Sequence, residues 1–377
     1  MTGRLHPWNS GGVGVFQRKL IENLSYAKNL DLTLIGAAPW NLGKTIPMIP
    51  SKYSTKTKVI RTIGNNDSFL DILLSNLKYP PAILGDRFDV AHFNILPGFR
   101  VATTSRLLAV KSSIRVANIH GVPEEVEAYV TPNFSARLAR LHWNLALSQL
   151  ASFDALVVNS TFSLRILQRY LPSGKYHVIP NGVDERLFGL VVSEPNVPTI
   201  LCFGAITPLK GQNLLLDALS TSSLRNKCRL LLIGRILDPD YYALLRRKVV
   251  EASMESVVRI LPHMNELDLW RMIASSTICV FPSLMEGFGM SVMEAMAAGK
   301  PVIATKYGGP MDYIDNGEDG FLVNPHDLDI LARTIERLVA DPNLRYQVGQ
   351  RAKKKARKYT WREVTRRYIE LYTSLLR

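Results

Sequence analysis

Only three of the 377 residues are cysteine, and 32 acidic side chains face 46 lysines and arginines, a formal charge of +14. Three thiols make no disulfide framework. Cys202, Cys228 and Cys279 sit in or beside the apolar runs ILCF, NKCRLLL and TICVF, which predicts buried free thiols in a reducing compartment. No run approaches the ~18 apolar residues that cross a bilayer, and MTGRLHPWNSGG lacks a charged-then-apolar leader pattern. The expectation is a cytoplasmic protein, in which the tripeptides at Asn133 and Asn159 match a glycosylation acceptor by chance. No solenoid period, no low-complexity tract and no His/Cys ligand spacing is present, so a repeat array is excluded and no metal is expected.

What is present is a core. With 47% hydrophobic residues the chain is globular, and its length suits two domains, each able to bury its own interior. From residue 197 onward apolar runs alternate with helical patterns: TILCF then GQNLLLDAL, RLLLIG then DYYALLRRKVVEA, VVRIL then ELDLWRMIA, TICVF then MSVMEAMAA, then PVIAT. That alternation is the signature of βαβ units around a parallel sheet covered on both faces. The first half repeats it at DLTLIG, FDVAHF, RVANIH, DALVVN and YHVIP, with helical segments at 13–28, 134–151 and 162–170. Prolines and lost periodicity place a boundary within residues 185–198. The expected domains are 1–188 and 189–360, followed by a helix, 361–377, with Trp361, Val364, Tyr368, Leu371 and Leu375 on one face.

The positive charge is uneven. Residues 1–190 carry +9, residues 191–350 carry −3, and residues 351–377 carry +8, including Lys353, Lys354, Lys355, Arg357 and Lys358. Such an excess is either a solvated helix face or a surface for an anionic partner. Nucleic acid is not expected, because no recognised motif or aromatic-basic array accompanies the charge.

Asn9-Ser-Gly-Gly-Val-Gly14 opens into a helix with the stripe Val13, Phe16, Leu20 and Leu24. Glycines at a helix start let amides approach a phosphate, although the spacing is neither a dinucleotide fingerprint nor a P-loop. A tight turn before a helix would read the same way. Residues 1–10 are neither apolar nor β-branched as a set, so the first strand of this sheet is expected to be missing.

The sharpest signal is Glu286-Gly-Phe-Gly-Met-Ser-Val-Met-Glu294, between VFPS and AMAAGKPVIAT. The order strand, glycine loop, helix, Gly-Lys-Pro turn, strand puts Glu286 at the carboxyl end of a strand, where open α/β sheets bind ligands. Glu294 falls in the first helical turn, and Ser291-Val-Met-Glu294 also reads as a capping box. Asp238-Pro-Asp240 reads as a helix N-cap with proline at the first position, not as a metal-binding pair.

These pieces in order resemble the retaining GT-B glycosyltransferases of family 4 (glycosyl transferases group 1) over essentially the whole chain. The residues that carry the resemblance are Gly11-Gly12, Asp89-Val-Ala-His92, Ile119-His120-Gly121, Val158-Asn-Ser160, Ile179-Pro-Asn-Gly-Val-Asp184, Lys210-Gly211, Phe281-Pro-Ser283, Glu286/Glu294, Gly308-Gly309 and Trp361. The resemblance implies two doubly wound Rossmann-like α/β domains facing across a cleft, with the last helix crossing back to the N-terminal domain. It implies a nucleoside diphosphate sugar as co-substrate, no other cofactor, and a sugar or lipid-linked acceptor. Lys210 would neutralise the donor diphosphate, Glu294 would hold the ribose hydroxyls, and Glu286 would hold the sugar near its 3-hydroxyl. The amides of Phe288, Gly289, Met290 and Ser291 would line the phosphate, Gly11 and Gly12 would close over the donor, and His120 would touch the sugar near its reacting carbon. The family usually has Gly-Arg where this chain has Gly204-Ala205; either Arg235 would substitute for that cation, or catalysis would be weak or absent.

The resulting expectation is a metal-independent, retaining hexosyltransferase of polysaccharide or glycolipid synthesis, with an anionic membrane surface at the cytoplasmic face as a further partner. Its rivals are a catalytically weakened or non-catalytic partner subunit, motivated by Ala205 and the missing first strand, and a sugar-nucleotide epimerase, which the Glu286/Glu294 pattern disfavours.

Overall fold

The computed structural model describes residues 2–4, 11–27, 30, 33–39, 56–62, 87–95, 111–121 and 150–377. Most of the expected helix at 134–151, the Asn133 tripeptide and residues 40–55 lie outside the described residues. The chain divides into two units, 1–182 with 361–377, and 183–360.

In the first unit, strands β1 (Thr2–Arg4), β2 (Thr33–Pro39), β3 (Lys56–Thr62), β4 (Arg87–Ile95), β5 (Lys111–Ile119), β6 (Ala155–Val158) and β7 (Tyr176–Val178) form a parallel sheet in the order β3-β2-β1-β4-β5-β6-β7. The expectation that the first strand is missing is corrected here. Three residues suffice, because β1 lies between two longer strands: Thr2, Gly3 and Arg4 pair with Ile35, Gly36 and Ala37, and Thr2 with Phe93. Helix α1 (Gly11–Leu24) follows, so Gly11 and Gly12 are its first residues and not a preceding loop. Phe16, Leu20 and Leu24 form its buried stripe, and the side chain of Val13 lies outside what is described. Helix α2 (Thr161–Tyr170) starts at Ser160, whose Oγ accepts from the Ser163 amide at 3.0 Å.

The second unit carries β8 (Thr199–Phe203), α3 (Gln212–Thr221), β9 (Arg229–Ile233), α4 (Pro239–Glu251), β10 (Val258–Leu261), α5 (Glu266–Ala274), β11 (Ile278–Phe281), α6 (Met290–Ala297), β12 (Val302–Thr305), β13 (Phe321–Val323), α7 (Leu328–Ala340) and α8 (Pro342–Ala356). Every pairing is parallel, in the order β10-β9-β8-β11-β12-β13. This is the doubly wound order, with its switch point between β8 and β11. Both strands are wholly buried, which is why TILCF and ICVF read as unbroken apolar runs. Asp238 caps α4 as expected, its Oδ1 accepting from the Tyr241 amide at 2.9 Å. All three cysteines are buried and free.

The unit boundary falls a few residues before the expected one. The Val183 amide donates to Tyr359 O at 2.8 Å, and the turn Glu185–Gly189 buries Leu187 in the second unit's core. The last helix, α9 (Trp361–Leu376), belongs to the first unit and packs on α1 and β5. Trp361 and Tyr368 meet Phe16 edge-on at 5.5 and 6.3 Å between ring centroids. Trp361 also leaves no space beside Gly182, where an added Cβ would lie 2.4 Å from the indole. Removing such a buried aromatic costs about 3–5 kcal/mol. Trp361→Ala is therefore expected to lower the first melting transition by about 10 °C, read by thermal denaturation.

Candidate functional site

The residues implicated by the sequence gather at the carboxyl ends of β8 and β11, on either side of the switch point. The backbone after β8 runs from Gly204 through a single turn of tight helix, Pro208–Lys210, that ends at Gly211 in the left-handed region. It is tied to the next strand's loop, because the Ile206 amide donates to Arg235 O at 2.9 Å. Gln212, buried at the start of α3, donates its side-chain amide to Ala205 O at 2.8 Å. The loop after β11 is held just as firmly. The Leu284 amide donates to Leu209 O at 2.8 Å, the Glu286 amide to Tyr307 O at 3.1 Å, and the Gly309 amide to Glu286 O at 2.8 Å.

These ties bring together two side chains 76 positions apart: Lys210 Nζ donates to Glu286 Oε1 at 2.8 Å and to Oε2 at 2.6 Å. Both are largely but not wholly covered, with side-chain exposures of 25% and 15%. Beside them α6 begins after Gly289, which sits at φ +87 and lends no side chain to the first amides. Ser291 is thus the second helical residue and Glu294 the fifth, in the second turn. The capping-box reading, and the placement of Glu294 in the first turn, are corrected by this start. The segment leading into α6 is instead held from outside, since Tyr313 Oη donates to Phe288 O at 2.8 Å and lies 3.3 Å from Gly289 O, which leaves the first amides of the helix without a side-chain cap. All of α6 is buried except Met290, Ser291 and Glu294, so the open stripe of the helix carries Ser291 and Glu294. An uncapped helix start with its dipole, a lysine and two carboxylates form a place where an anion and a polyhydroxyl compound can be held together.

Phe288 turns its ring into the core against Tyr313, 5.3 Å between centroids, so only its backbone can face a ligand. Arg235 is exposed and makes no ion pair among the described residues. The sequence missed Gln212, Thr207 and Tyr313. Thr207 Oγ1 and Gln212 Oε1 are buried without a hydrogen-bond partner among the described residues, and no spacing pattern marks such groups.

In the first unit, Gly11 and Gly12 open α1, and His120 follows β5. Its Nε2 lies 2.8 Å from Asn94 Oδ1 and 3.2 Å from Asn118 Nδ2, with Phe16 edge-on at 4.6 Å. The contact to a carbonyl oxygen requires Nε2 to carry the proton. Burial pushes the imidazole down to about 3, and burial also lowers His92, which hydrogen-bonds Tyr372 through Nδ1. Both rings are therefore neutral near pH 7. An unfolded histidine binds a proton below about 6.5 that the folded ones refuse, so this stability is full above that pH and is lost as pH falls toward 3. Melting temperature is expected to drop between pH 7 and 5, and to drop less in His120→Gln.

Among the described residues no helix is long and apolar enough to cross a membrane, and no cluster of three His, Cys, Asp or Glu side chains forms a metal site.

Comparison with known proteins gives the arrangement a family. Glycosyltransferase Family 4 matches residues 10–187, and Glycosyl transferases group 1 matches residues 188–355. The MMP alpha-(1->4)-mannosyltransferase of Mycolicibacterium hassiacum is 28% identical over 222 residues, 58% of this chain and 53% of that protein. A D-inositol 3-phosphate glycosyltransferase of Pseudarthrobacter chlorophenolicus is 31% identical over 48% of this chain and 43% of its own length. The chain thus spans about half the length of these curated relatives. Among solved structures, sucrose-phosphate synthase from Thermosynechococcus elongatus superposes with a TM-score of 0.82 at 21% identity, covering 99% of this chain and 98% of that one. Anabaena HepE, in complex with UDP-glucose, does so with a TM-score of 0.77 at 19% identity, over 99% and 98% of the two chains. With two adjoining family matches over residues 10–355 and two Rossmann-like parallel-sheet units, the chain belongs to the family 4 glycosyltransferases of the GT-B fold.

Proposed function

We propose that the protein transfers a hexose from a nucleoside diphosphate sugar to an acceptor hydroxyl, with retention of anomeric configuration. The observation that carries this reading is the Lys210–Glu286 contact beside the uncapped start of α6, with Glu294 on the open stripe of that helix. Lys210 and the α6 amides suit a diphosphate, Glu294 a ribose, and Glu286 the hydroxyls of a hexose. HepE, crystallised with UDP-glucose, shows a protein of this fold holding such a donor. In the reaction the bond between the anomeric carbon and the diphosphate oxygen breaks, and a bond to the acceptor oxygen forms on the same face. The acceptor proton passes to the departing diphosphate, whose growing charge Lys210 and the helix start offset without a metal ion. His120, neutral, would serve as a hydrogen-bonding neighbour of the sugar.

The acceptor is a sugar or a lipid-linked sugar. The basic C-terminal stretch supports attachment to an anionic membrane surface on the cytoplasmic side. Arg351, Lys354, Arg357 and Lys358 are exposed, while Lys355 is engaged by Asp315 and Asp319 at 2.6 and 2.9 Å. Salt-sensitive pelleting with anionic liposomes is the expected result, and indifference to anionic lipid removes that part.

Ala205 favours one other reading, a weakened or non-catalytic partner subunit. Losing one of two cations at a developing diphosphate costs roughly 10²–10³ in rate. A thermal-shift panel of UDP, GDP, ADP and their hexose derivatives, without added metal, separates the two. A nucleotide-selective shift supports the transferase. A well-folded protein that responds to none supports the partner subunit.

A further inference from the structure

Resting on the proposed donor site, we infer that the Lys210–Glu286 ion pair is a latch that couples hexose recognition to occupation by a diphosphate. The two side chains are assigned to different halves of the donor, yet here they satisfy each other. Both Glu286 oxygens accept from one ammonium, at 2.8 and 2.6 Å. Two of the three Nζ donors are thereby spent. Neither backbone is free to drift apart. Lys210 is fixed by its amide's 3.0 Å bond to Thr207 O and by the Leu284–Leu209 tie, and Glu286 by its bonds to Tyr307 and Gly309. Any change of partner is a change of side-chain rotamer alone. The pair is mostly covered, so solvent and salt screen it less than a surface contact.

A diphosphate brings more negative charge to Nζ than one carboxylate does, and displaces it. Glu286 is then a half-buried carboxylate without its cation, next to the phosphates, and stays costly until hydroxyl donors reach it. A hexose attached to the diphosphate supplies them. The site thus reads diphosphate and hexose as one unit: a free hexose meets an occupied carboxylate, and a free nucleoside diphosphate must open the latch without compensation. The specificity element is the pair, not either residue alone.

The test is a calorimetric double-mutant cycle with Glu286→Gln, Lys210→Ala and the double variant. The probes are UDP, GDP, ADP, the UDP-, GDP- and ADP-hexoses, and inorganic pyrophosphate. Glu286→Gln preserves shape, and retention of the wild-type melting temperature verifies its fold. The expected result is that Glu286→Gln binds the preferred nucleoside diphosphate and pyrophosphate about tenfold tighter than wild type, the scale of one charge-assisted contact. Its preference for the diphosphate hexose over the bare diphosphate shrinks toward unity. In the Lys210→Ala background the same substitution gives no gain from the latch. An unchanged or weaker diphosphate affinity in Glu286→Gln, with wild-type binding still dependent on Lys210, overturns the latch and leaves the donor site standing. A tenfold gain that persists without Lys210 also overturns it, because simple repulsion by Glu286 would then explain the effect. If no probe binds any variant, the donor site and the latch fall together.

Discussion

Lys210→Ala is expected to bind the preferred nucleoside diphosphate at least about 100-fold more weakly, and to lower turnover by roughly 10²–10³. The size follows from how little positive charge the site holds. Ala205 stands where the family usually has an arginine, and Arg235, whose carbonyl accepts from the Ile206 amide, is exposed and makes no ion pair among the described residues. Among the described residues, the proposed donor site then meets the diphosphate charge with one ammonium and one helix start. The substitution also leaves Glu286 without its partner, so part of the loss arises from repulsion between that half-buried carboxylate and the incoming phosphates, with no ammonium between them. Isothermal titration of the nucleotide and a steady-state transfer assay read the two effects. Comparison with Arg235→Ala tests whether the exposed arginine shares the load: a loss near tenfold assigns it that work, and no loss leaves Lys210 alone.

Gly308→Ala is expected to damage the site severely while leaving every functional side chain in place. Gly308 sits at φ +133, and an added Cβ would stand 1.9 Å from Glu286 O and 2.9 Å from Glu286 N. Nothing flexible lies in the way, only the backbone that positions the carboxylate. The two segments are bridged by the Glu286–Tyr307 and Gly309–Glu286 hydrogen bonds, so relieving the clash breaks the hold on Glu286. Strain and overpacking together cost about 2–5 kcal/mol, and donor affinity falls with the displaced carboxylate. Gly317→Ala is the control. Gly317 also has a positive φ, +86, but an added Cβ meets nothing within 4 Å, so about 1 kcal/mol of strain is expected with donor affinity intact. Melting temperature and titration with the nucleoside diphosphate hexose on both variants check the contrast.

The second unit was legible because its strands are buried on both faces. TILCF, RLLLI and ICVF leave no solvent-facing alternation to confuse the reading, and each is followed by a helix of clear period. Strand β1 was not legible for the opposite reason. Its three residues, TGR, have no apolar signature, and what makes them a strand is the pair of partners β2 and β4 supplied by distant sequence. The start of α6 was misread because Ser-x-x-Glu is satisfied by many helices. The deciding contacts come from Tyr313, 24 and 25 positions away, holding the carbonyls of Gly289 and Phe288.

The site followed the same division. Lys210, Glu286 and Glu294 could be picked out because ordered motifs in strand-loop-helix context flag them, but their pairing could not. A bond across 76 residues exists only once β8 and β11 lie side by side. The polar group that stiffens the lysine loop, Gln212 on Ala205 O, follows no repeat, and neither does the buried, unpartnered hydroxyl of Thr207. They are products of tertiary packing, where local pattern carries little information.

The most direct measurement is the anomeric configuration of the product formed from an α-linked nucleoside diphosphate hexose, followed by proton NMR as transfer begins. The account predicts an α-linked glycoside, formed by wild-type protein and reduced about 100-fold or more by Lys210→Ala. A β-linked product would contradict it, because attack would then come from the face opposite the diphosphate.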